Sequence, residues 1–593
     1  MAKYWKGRAH VTASSATDGK LERRKTASVA SAEGLHAPDA ASGRTAEKYR
    51  GLGLASTLLC LSSLGWIGQA AMLALGVGAI SQGGGAAEVA IPAAVVAGLG
   101  ILRAVLDAAG GRLAFRAARR ELSIQRAAAT AALALRSPLD SGRAASGLAA
   151  SVVGEYAEAV VPYLARFRPA RMKASLVPLV ILVCILPISW LAALILALCA
   201  PLIPIFMALI GWRAKAASEK QLAETGGINA FLLDRLRGLA TIRALDAVDV
   251  TARRLCADAD SLRIRTMAVL RIAFLSSAVL EFFAALGVAA TAVYVGFSLL
   301  GSIEIGTWES RLTLAQGLFI LLLAPAFFEP LRELSAVWHD RANGEAALSA
   351  LGELASSQQT ILGGFDARSF AARGAPSVEI EGLVFRHGPE RAAAIDHFDL
   401  SVAPGEHVAL WGASGSGKTT LLSLIAGLAR QDAGVIRIGG IPLRDETADA
   451  LRRRMAWIGQ QPHVFAGSVK RNVALGRSGI DAAAVAEVLE GVALDRVFTP
   501  ERVSAVGEGG LGLSGGEALR LALARMMIDE QADIILADEP TAHLDAKTAA
   551  AVTDALLALA SGRVLIVATH DPMLAARMQR IVRIDEQGRK VAA

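Results

Sequence analysis

The stretch LWGASGSGKTTL, residues 410–421, decides the fold of one half of this 593-residue chain. It fits the pattern G-x-x-x-x-G-K-[ST]. It also lies between an apolar run at residues 407–411 (HVALW) and a helical pattern at residues 420–428. Strand, glycine-rich loop and helix in this order are typical of a phosphate-binding loop, whereas an isolated glycine-rich turn lacks this context. The sequence therefore predicts a nucleoside triphosphate site.

The residue types in this loop suit phosphate binding. Glycines let backbone N–H groups point at phosphates, and the N-terminus of the following helix adds partial positive charge. Lys418 is expected to reach the outer phosphates, and the hydroxyl of Thr419 is expected to ligate Mg²⁺. The predicted nucleotide-binding residues of the loop are Gly412, Ala413, Ser414, Gly415, Ser416, Gly417, Lys418, Thr419 and Thr420.

A second motif, IILADE at residues 534–539, is an apolar strand that ends in two acids. Asp538 is placed to hold Mg²⁺, directly or through water. Glu539 is placed to polarise the water that attacks the γ-phosphate. A solvated strand end is the alternative, and the position of the pair after the phosphate loop argues against it.

The composition indicates a membrane protein with several domains. Hydrophobic residues make up 53% of the chain and charged residues only 19%, which is unusual for a soluble enzyme. The formal net charge is +7, but the arginines flank apolar runs, as the positive-inside rule expects of cytoplasmic loops. Nucleic acid is therefore not a predicted partner.

Six apolar segments are long enough to be membrane spans, with residues 187–190 (PISW) taken as the turn between the third and fourth. The long connections carry the Arg/Lys excess, which predicts that they and both termini are cytoplasmic. Short helices near residues 137–143 and 226–233 are expected to dock on the nucleotide domain. The predicted spans lie at residues 54–80, 89–109, 174–210 (two spans), 272–300 and 312–331. The predicted domains are a disordered tail (1–50), a membrane domain (51–355), a linker (356–376) and a soluble α/β domain (377–593) with a parallel sheet.

The motif LSGGE at residues 513–517 lies between the phosphate loop and the acidic strand. In this position it resembles the signature of ATP-binding-cassette (ABC) ATPases. The resemblance implies that the signature binds the γ-phosphate of ATP held by the opposing subunit. Glutamate ends the motif where glutamine is usual, which places an added carboxylate near a triphosphate. The signature residues are Leu513, Ser514, Gly515, Gly516 and Glu517.

Three further positions take their roles from the same resemblance. Gln460, in WIGQQP, is expected to sense Mg²⁺ and to contact the membrane domain. His570, in VATHD, matches the switch histidine that contacts the γ-phosphate. His387, in VFRHG, stands where the family usually offers an aromatic ring to adenine.

The whole chain resembles one half of a fused ABC exporter, which binds ATP and Mg²⁺. The resemblance implies a type I/IV exporter fold, with an all-α six-helix transmembrane domain followed by an α/β P-loop NTPase domain of the ABC type. A chain with one phosphate loop and one signature needs a second half to close a site. The expected functional unit is therefore a dimer driven by ATP binding and hydrolysis.

Ionisable residues inside predicted spans are clues to the substrate, because they are costly in a bilayer. Arg103 is expected either to snorkel or to face the cavity, where it would favour an anionic solute. Glu281 is expected to face the bundle interior. Glu329 and Arg332, three residues apart, are expected to pair.

Segments at residues 232–245 (LLDRLRGLATIRAL), 271–301 and 321–334 resemble the CydD family of subunits of thiol-reductant exporters. The resemblance implies a bacterial inner-membrane complex with a homologous CydC-like chain. Such complexes are implicated in exporting cysteine and glutathione to the periplasm and in cytochrome bd assembly, and haem is a further proposed ligand. A homodimeric exporter of lipids or drugs remains the alternative. A membrane regulator that does not pump is disfavoured by Glu539 and His570.

Overall fold

The structure, a computed structural model, describes most of the chain from residue 40 onward. Its contacts divide the chain into two compact units, Met1–Ile124 with Ala157–Leu348 and Gln125–Tyr156 with Ser349–Ala593. The division differs from the predicted domains, since residues 125–156 belong with the C-terminal α/β part. The described residues are 40–202, 235, 238–308, 311–356, 359–363, 375–388, 391–460, 462–477, 479–495, 497–498, 505–507, 510, 512–529, 531–542, 544–585 and 588–590.

Apolar helices form the first unit, and the described part of each predicted span lies mostly on one of them. Within the described residues, four helices are long and apolar enough to cross a membrane. The helix that carries the third predicted span begins with basic residues before that span, and the described part of the fourth span ends at Leu202. The helices up to residue 355 are α1 (Ala40–Ser81), α2 (Ala86–Leu135), α3 (Ser146–Gly154), α4 (Arg168–Ile185), α5 (Trp190–Leu202), α6 (Leu239–Ala244), α7 (Val248–Leu299), α8 (Leu314–Ala336) and α9 (Trp338–Ala355).

The first helix begins at Ala40, so the prediction of a disordered tail up to residue 50 is wrong for its last part. Residues 40–50 read AASGRTAEKYR. Alanine, arginine, glutamate and lysine have high helix propensity, so this stretch extends the apolar helix that follows it. Residues 1–39 lie outside the described part of the chain.

Helix α8 supplies much of the core of the membrane unit. Its Ile320, Leu323, Phe327 and Phe328 are fully buried, and the two phenylalanine rings pack edge to face at 4.9 Å. A Cβ atom added to Gly287 on α7 would come within 2.5 Å of the Phe328 ring. This glycine therefore permits the close approach of α7 and α8.

The ATPase domain contains the predicted parallel sheet, with strand order β11-β3-β10-β9-β6. A separate antiparallel sheet, β2-β1-β4-β5, was not predicted. The strands are β1 (Val378–Arg386), β2 (Ala393–Val402), β3 (His407–Trp411), β4 (Ala433–Ile438), β5 (Ile441–Pro442), β6 (Met455–Ile458), β7 (Gly467–Ser468), β8 (Ala505–Val506), β9 (Ile534–Asp538), β10 (Val564–Thr569) and β11 (Arg580–Arg583). The helices are α10 (Lys418–Ile425), α11 (Ala448–Arg452), α12 (Val469–Ala474), α13 (Ala482–Gly491), α14 (Gly515–Met527), α15 (Ala546–Leu559) and α16 (Pro572–Ala575).

The segment at residues 137–143 docks on the ATPase domain, but it is a pair of turns and not the predicted helix. The fully buried hydroxyl of Ser137 donates to the carbonyl oxygen of Leu428 at 2.6 Å. A salt bridge of 2.7 Å between Arg136 and Asp140 closes the first turn. The second predicted docking segment, residues 226–233, lies outside the described residues.

Part of the predicted linker packs against the same domain. Thr360 forms a β-bridge with Arg136, and Leu362, only 3% exposed, joins the core beneath β1 and α10. Residues 359–363 are therefore part of the folded domain. Residues 357–358 and 364–374 lie outside the described chain.

We expect Ser137→Ala to lower the unfolding temperature of the purified protein by about 2–4 °C, because a buried hydrogen bond contributes about 1 kcal/mol. Thermal unfolding in detergent measures the shift. The exposed Ser141 in the second turn gives the matched control, Ser141→Ala, with no change expected. Equal unfolding temperatures for both variants would contradict a docking role for Ser137.

Candidate nucleotide-binding site

The phosphate loop connects β3 to α10 through glycines with left-handed backbone angles. Gly415 has φ 86° and Gly417 has φ 89°. A Cβ atom on Gly417 would also lie 2.6 Å from the carbonyl oxygen of Ala394. The loop can therefore take this shape only with glycine at residue 417.

Lys418 is held inside the loop. Its side chain is 5% exposed, and the ammonium group donates to the carbonyl oxygens of Gly412 at 2.8 Å and Ala413 at 2.9 Å. The same nitrogen lies 3.9 Å from Glu539 Oε1. The hydroxyl of Ser416 is buried and has no hydrogen-bond partner among the described residues. The loop thus combines a cation with an unused polar group, as a phosphate site requires.

Asp538 ends β9 beside this loop. Its Oδ2 accepts a hydrogen bond of 2.8 Å from the hydroxyl of Thr419, and the residue is 5% exposed. Its other oxygen, Oδ1, is buried without a hydrogen-bond partner in the described part of the chain. Burial raises the pKa of the Asp538 carboxyl, and the nearby Glu539 charge raises it further, against the hydrogen bond from Thr419. A carboxylate with an unsatisfied oxygen beside a threonine hydroxyl fits a hard divalent cation.

Glu539 brings the three predicted catalytic side chains together. Its Oε2 accepts from Gln460 Nε2 at 3.2 Å, and its Oε1 lies 3.1 Å from His570 Nδ1. Its backbone has φ 47°, and its N–H donates to the carbonyl oxygen of Ala568 at 2.8 Å. A left-handed conformation is unusual for glutamate. This conformation turns the chain sharply at the end of β9, and no pattern in the sequence indicates it.

Two residues that the sequence analysis missed connect the strand ends. The Thr541 hydroxyl donates to Asp571 Oδ2 at 2.8 Å. Asp571 also caps α16, since its Oδ1 accepts from the N–H of Met573. This pair fixes the loop that carries Glu539 relative to the one that carries His570. The run T-H-D at the end of an apolar strand was the available signal.

The signature motif opens helix α14. Ser514 is the N-cap and forms a capping box with Glu517, whose carboxylate accepts from Ser514 N at 2.7 Å and from its hydroxyl at 2.9 Å. Gly516 lies close to Thr548, where an added Cβ atom would come within 2.8 Å of the threonine methyl. Ser514 and Gly515 are exposed, and Leu513 is half-buried. The unusual Glu517 thus has a structural partner in its own helix.

His387 follows β1 and stands over the start of α10. Its ring packs edge to face on Phe385 at 5.1 Å, and its Nε2 lies 3.5 Å from the Thr420 hydroxyl. Thr420 itself is 7% exposed. His387 therefore lies beside the helix that follows the phosphate loop. That its ring stacks on adenine stays a prediction.

Arg103 bonds within its own helix pair and does not snorkel. Its Nε donates to the carbonyl oxygen of Ser62 at 2.9 Å, and a second nitrogen donates to the side-chain oxygen of Gln69. Its guanidinium lies 5.3 Å from the centre of the Trp66 ring. Arg103 thus bridges α1 and α2 within this chain, and its contact with a transported solute stays a prediction.

Glu281 is not packed among this chain's own helices, and its place in the bundle of the complete transporter stays a prediction. Its carboxylate is 63% exposed and pairs with Arg332 of α8 at 3.1 Å. The predicted pair of Glu329 and Arg332 is present at 3.7 Å. The cause is the rotation of α7, which directs Glu281 towards α8's exposed face.

The comparisons with known proteins agree with this site. The ABC transporter profile matches residues 395–542, and the ABC transporter transmembrane region profile matches residues 170–322. A bacterial Atm1-family ABC exporter with ATP bound has a similar fold, with a TM-score of 0.72 at 22% identity over 92% of this chain and 95% of that one. The predicted fold class is confirmed, and the fold and the site define an ATP-hydrolysing ABC exporter half-transporter, a multi-pass membrane protein.

Two curated relatives identify the family. The glutathione/L-cysteine transport system ATP-binding/permease protein CydD of Haemophilus influenzae is 37% identical over 72% of both chains. Its counterpart of the same name in Escherichia coli is 36% identical, again over 72% of both. The chain belongs to the CydD family of ABC exporters. Protein CydC of Bacillus subtilis is 29% identical over 71% of this chain and 72% of its own length.

We expect Asp538→Asn to raise the unfolding temperature without nucleotide at pH 8, because it removes a buried negative charge and keeps an acceptor for Thr419. The folded-state pKa of Asp538 is raised. The charged Asp538 carboxylate therefore does not destabilise the folded protein below its pKa in the unfolded state, about 3.9. The destabilisation grows as the pH rises through the pKa in the folded state. The difference between variant and wild type should therefore shrink towards pH 4 in thermal unfolding scans.

The matched control is Asp533→Asn, just before the other end of β9, where the carboxylate pairs with Arg454 at 2.7 Å. This variant loses an ion pair and should be less stable than wild type. A lower unfolding temperature for Asp538→Asn at pH 8 would contradict the burial argument.

Proposed function

We propose that this chain is one half of a heterodimeric exporter that moves small thiols, cysteine and glutathione, across the bacterial inner membrane to the periplasm in support of cytochrome bd assembly. The observation that carries the proposal is its similarity to two proteins named as glutathione/L-cysteine transport subunits, over nearly three quarters of both chains. The ATPase domain and both termini lie in the cytoplasm in this proposal, as the arginine-rich connections favour.

A lipid exporter is the second candidate, because an ATP-dependent lipid A-core flippase of Ralstonia nicotianae is 29% identical over 71% of this chain and 70% of its own length. The lower identity makes it the weaker candidate. Haem-linked transport by the same complex is a further alternative, and it rests on the family resemblance alone.

In the proposed site, Thr419, Asp538 and Gln460 hold Mg²⁺, which when bound offsets phosphate charge. Lys418 exchanges its bonds to loop carbonyls for phosphate oxygens. Glu539 accepts a proton from the attacking water, and its contacts with Gln460 and His570 fix the carboxylate in position.

The proposed partner follows from the exposed signature. Ser514 and Gly515 face solvent at the start of α14, where they are available to a nucleotide held by another chain. A CydC-like half-transporter is the partner we propose, because a relative with that name shares 29% identity. Purification from the native membrane should recover a second, homologous chain, and recovery of this chain alone would favour a homodimer.

Glu517→Gln tests the signature role. The amide oxygen can still accept from the Ser514 N–H, so the helix cap is kept, while a negative charge near the partner's ATP is lost. We expect the KM for ATP to fall about fivefold, which corresponds to a repulsion of about 1 kcal/mol. Steady-state ATPase assays measure this change. Glu517→Ala is the contrasting variant, since it also removes the side-chain acceptor for the Ser514 N–H in the capping box and should lower stability.

ATP-dependent accumulation of labelled cysteine and glutathione in inside-out membrane vesicles tests the whole proposal. We expect Glu539→Gln to reduce uptake at least about 100-fold, because the general base is lost. Vesicles that hydrolyse ATP but accumulate neither thiol would overturn the thiol proposal and direct the search to haem or lipid.

A further inference from the structure

A shallow cavity of about 350 Å³ lies in the membrane unit at the beginning of α4. The chain enters this helix through a π-helical turn, Tyr163–Phe167. Turns of this kind occur frequently at functional sites. The cavity is lined by Tyr163, Phe167, Arg168, Arg171, Met172 and Ser175.

The cavity is cationic and partly aromatic. No carboxylate is among its six lining residues, and Arg171 is exposed. The guanidinium of Arg168 lies 5.7 Å from the centre of the Tyr163 ring. Two acids of the same unit pair with cations that do not line the cavity, Asp340 with Arg166 at 3.4 Å and Glu333 with Lys173 at 3.1 Å. An excess of positive charge therefore faces the cavity.

The same face of α4 continues as an apolar surface. Leu179, Val183 and Leu186 follow Arg171 and Ser175 at intervals of three or four residues, so they lie on one side of the helix. They are 59%, 63% and 48% exposed. A positively charged cavity at one end of a row of exposed aliphatic side chains is complementary to a molecule with an anionic head group and apolar tails.

The depth of the cavity suits a lipid headgroup. The chain turns after Ile185, and Arg171 lies about 21 Å before that turn at 1.5 Å per helical residue. The hydrocarbon layer of a bilayer is about 30 Å thick. If the turn after Ile185 lies at one boundary of this layer, the long arginine side chains reach the opposite boundary. Trp338 of α9 packs against Phe167 beside the cavity.

We propose that this cavity binds the phosphate of an anionic phospholipid, with the acyl chains along Leu179, Val183 and Leu186. The guanidinium groups of Arg168 and Arg171 donate to the phosphate oxygens, which arginine binds with good geometry. The aromatic rings hold the glycerol region at the interface. None of the six lining residues belongs to the nucleotide site described above.

Native mass spectrometry of the intact transporter tests this proposal. The purified protein is exposed to equal amounts of phosphatidylglycerol and phosphatidylcholine, and the retained lipids are counted after detergent washing. We expect preferential retention of phosphatidylglycerol in the wild type. Arg168→Gln and Arg171→Gln should each weaken it about fivefold, which corresponds to about 1 kcal/mol for each arginine.

Arg166→Gln is the matched control, because it removes the same charge from a residue that pairs with Asp340 outside the cavity. It should retain phosphatidylglycerol like the wild type, and ATPase activity in detergent should confirm that all variants fold. Equal loss in all three variants would indicate general surface charge and overturn the proposal.

Two further outcomes would also overturn it. If inorganic phosphate binds to the wild type but not to Arg171→Gln, and no lipid is retained, the cavity is a site for a free anion. A fall in the dimer fraction of Arg171→Gln, without selective lipid retention in the wild type, would indicate that the partner chain covers this face.

Discussion

The buried carboxylate of Asp538 is the constraint around which the nucleotide site is organised. A buried acceptor without a partner is costly, and among the described residues Asp538 Oδ1 and the Ser416 hydroxyl both lack one. The same site holds the buried Lys418 and Glu539 with its positive φ. Strands β9 and β10 are buried along their whole length, so the sheet core offsets these local costs. The domain thus keeps polar groups ready at a sheet edge, and a charged ligand with a cation can satisfy them.

Much of the ATPase site was predictable because the chemistry depends on fixed local spacings. The phosphate loop, the strand that ends at Asp538 and the histidine after β10 are each read from a few consecutive residues. Parallel pairing of β3, β9 and β10 then brings their carboxyl ends to one edge. The left-handed backbone of Glu539, the antiparallel sheet and the packing of Leu362 depend on distant residues, so no local pattern indicates them.

The membrane unit was likewise predictable only in part. Apolar length predicts where helices cross a bilayer, because every residue contributes to that signal. The partner of a single charged residue depends on the rotation of its helix, which hydropathy does not contain. For this reason the helices could be predicted, whereas the side-chain partners of Arg103 and Glu281 could not. Good helix formers at residues 40–50 likewise lengthened α1 beyond its apolar run.

The contacts of Arg103 have a consequence for how the protein enters the membrane. An arginine in mid-span costs about 2.5–3.5 kcal/mol during insertion, and its hydrogen-bond acceptors, Ser62 and Gln69, both belong to α1. The turn between α1 and α2 spans only residues 82–85, so the acceptors are present as soon as α2 leaves the ribosome. Biogenesis is therefore expected to proceed through a helical hairpin, in which α1 solvates the charge that α2 carries into the lipid.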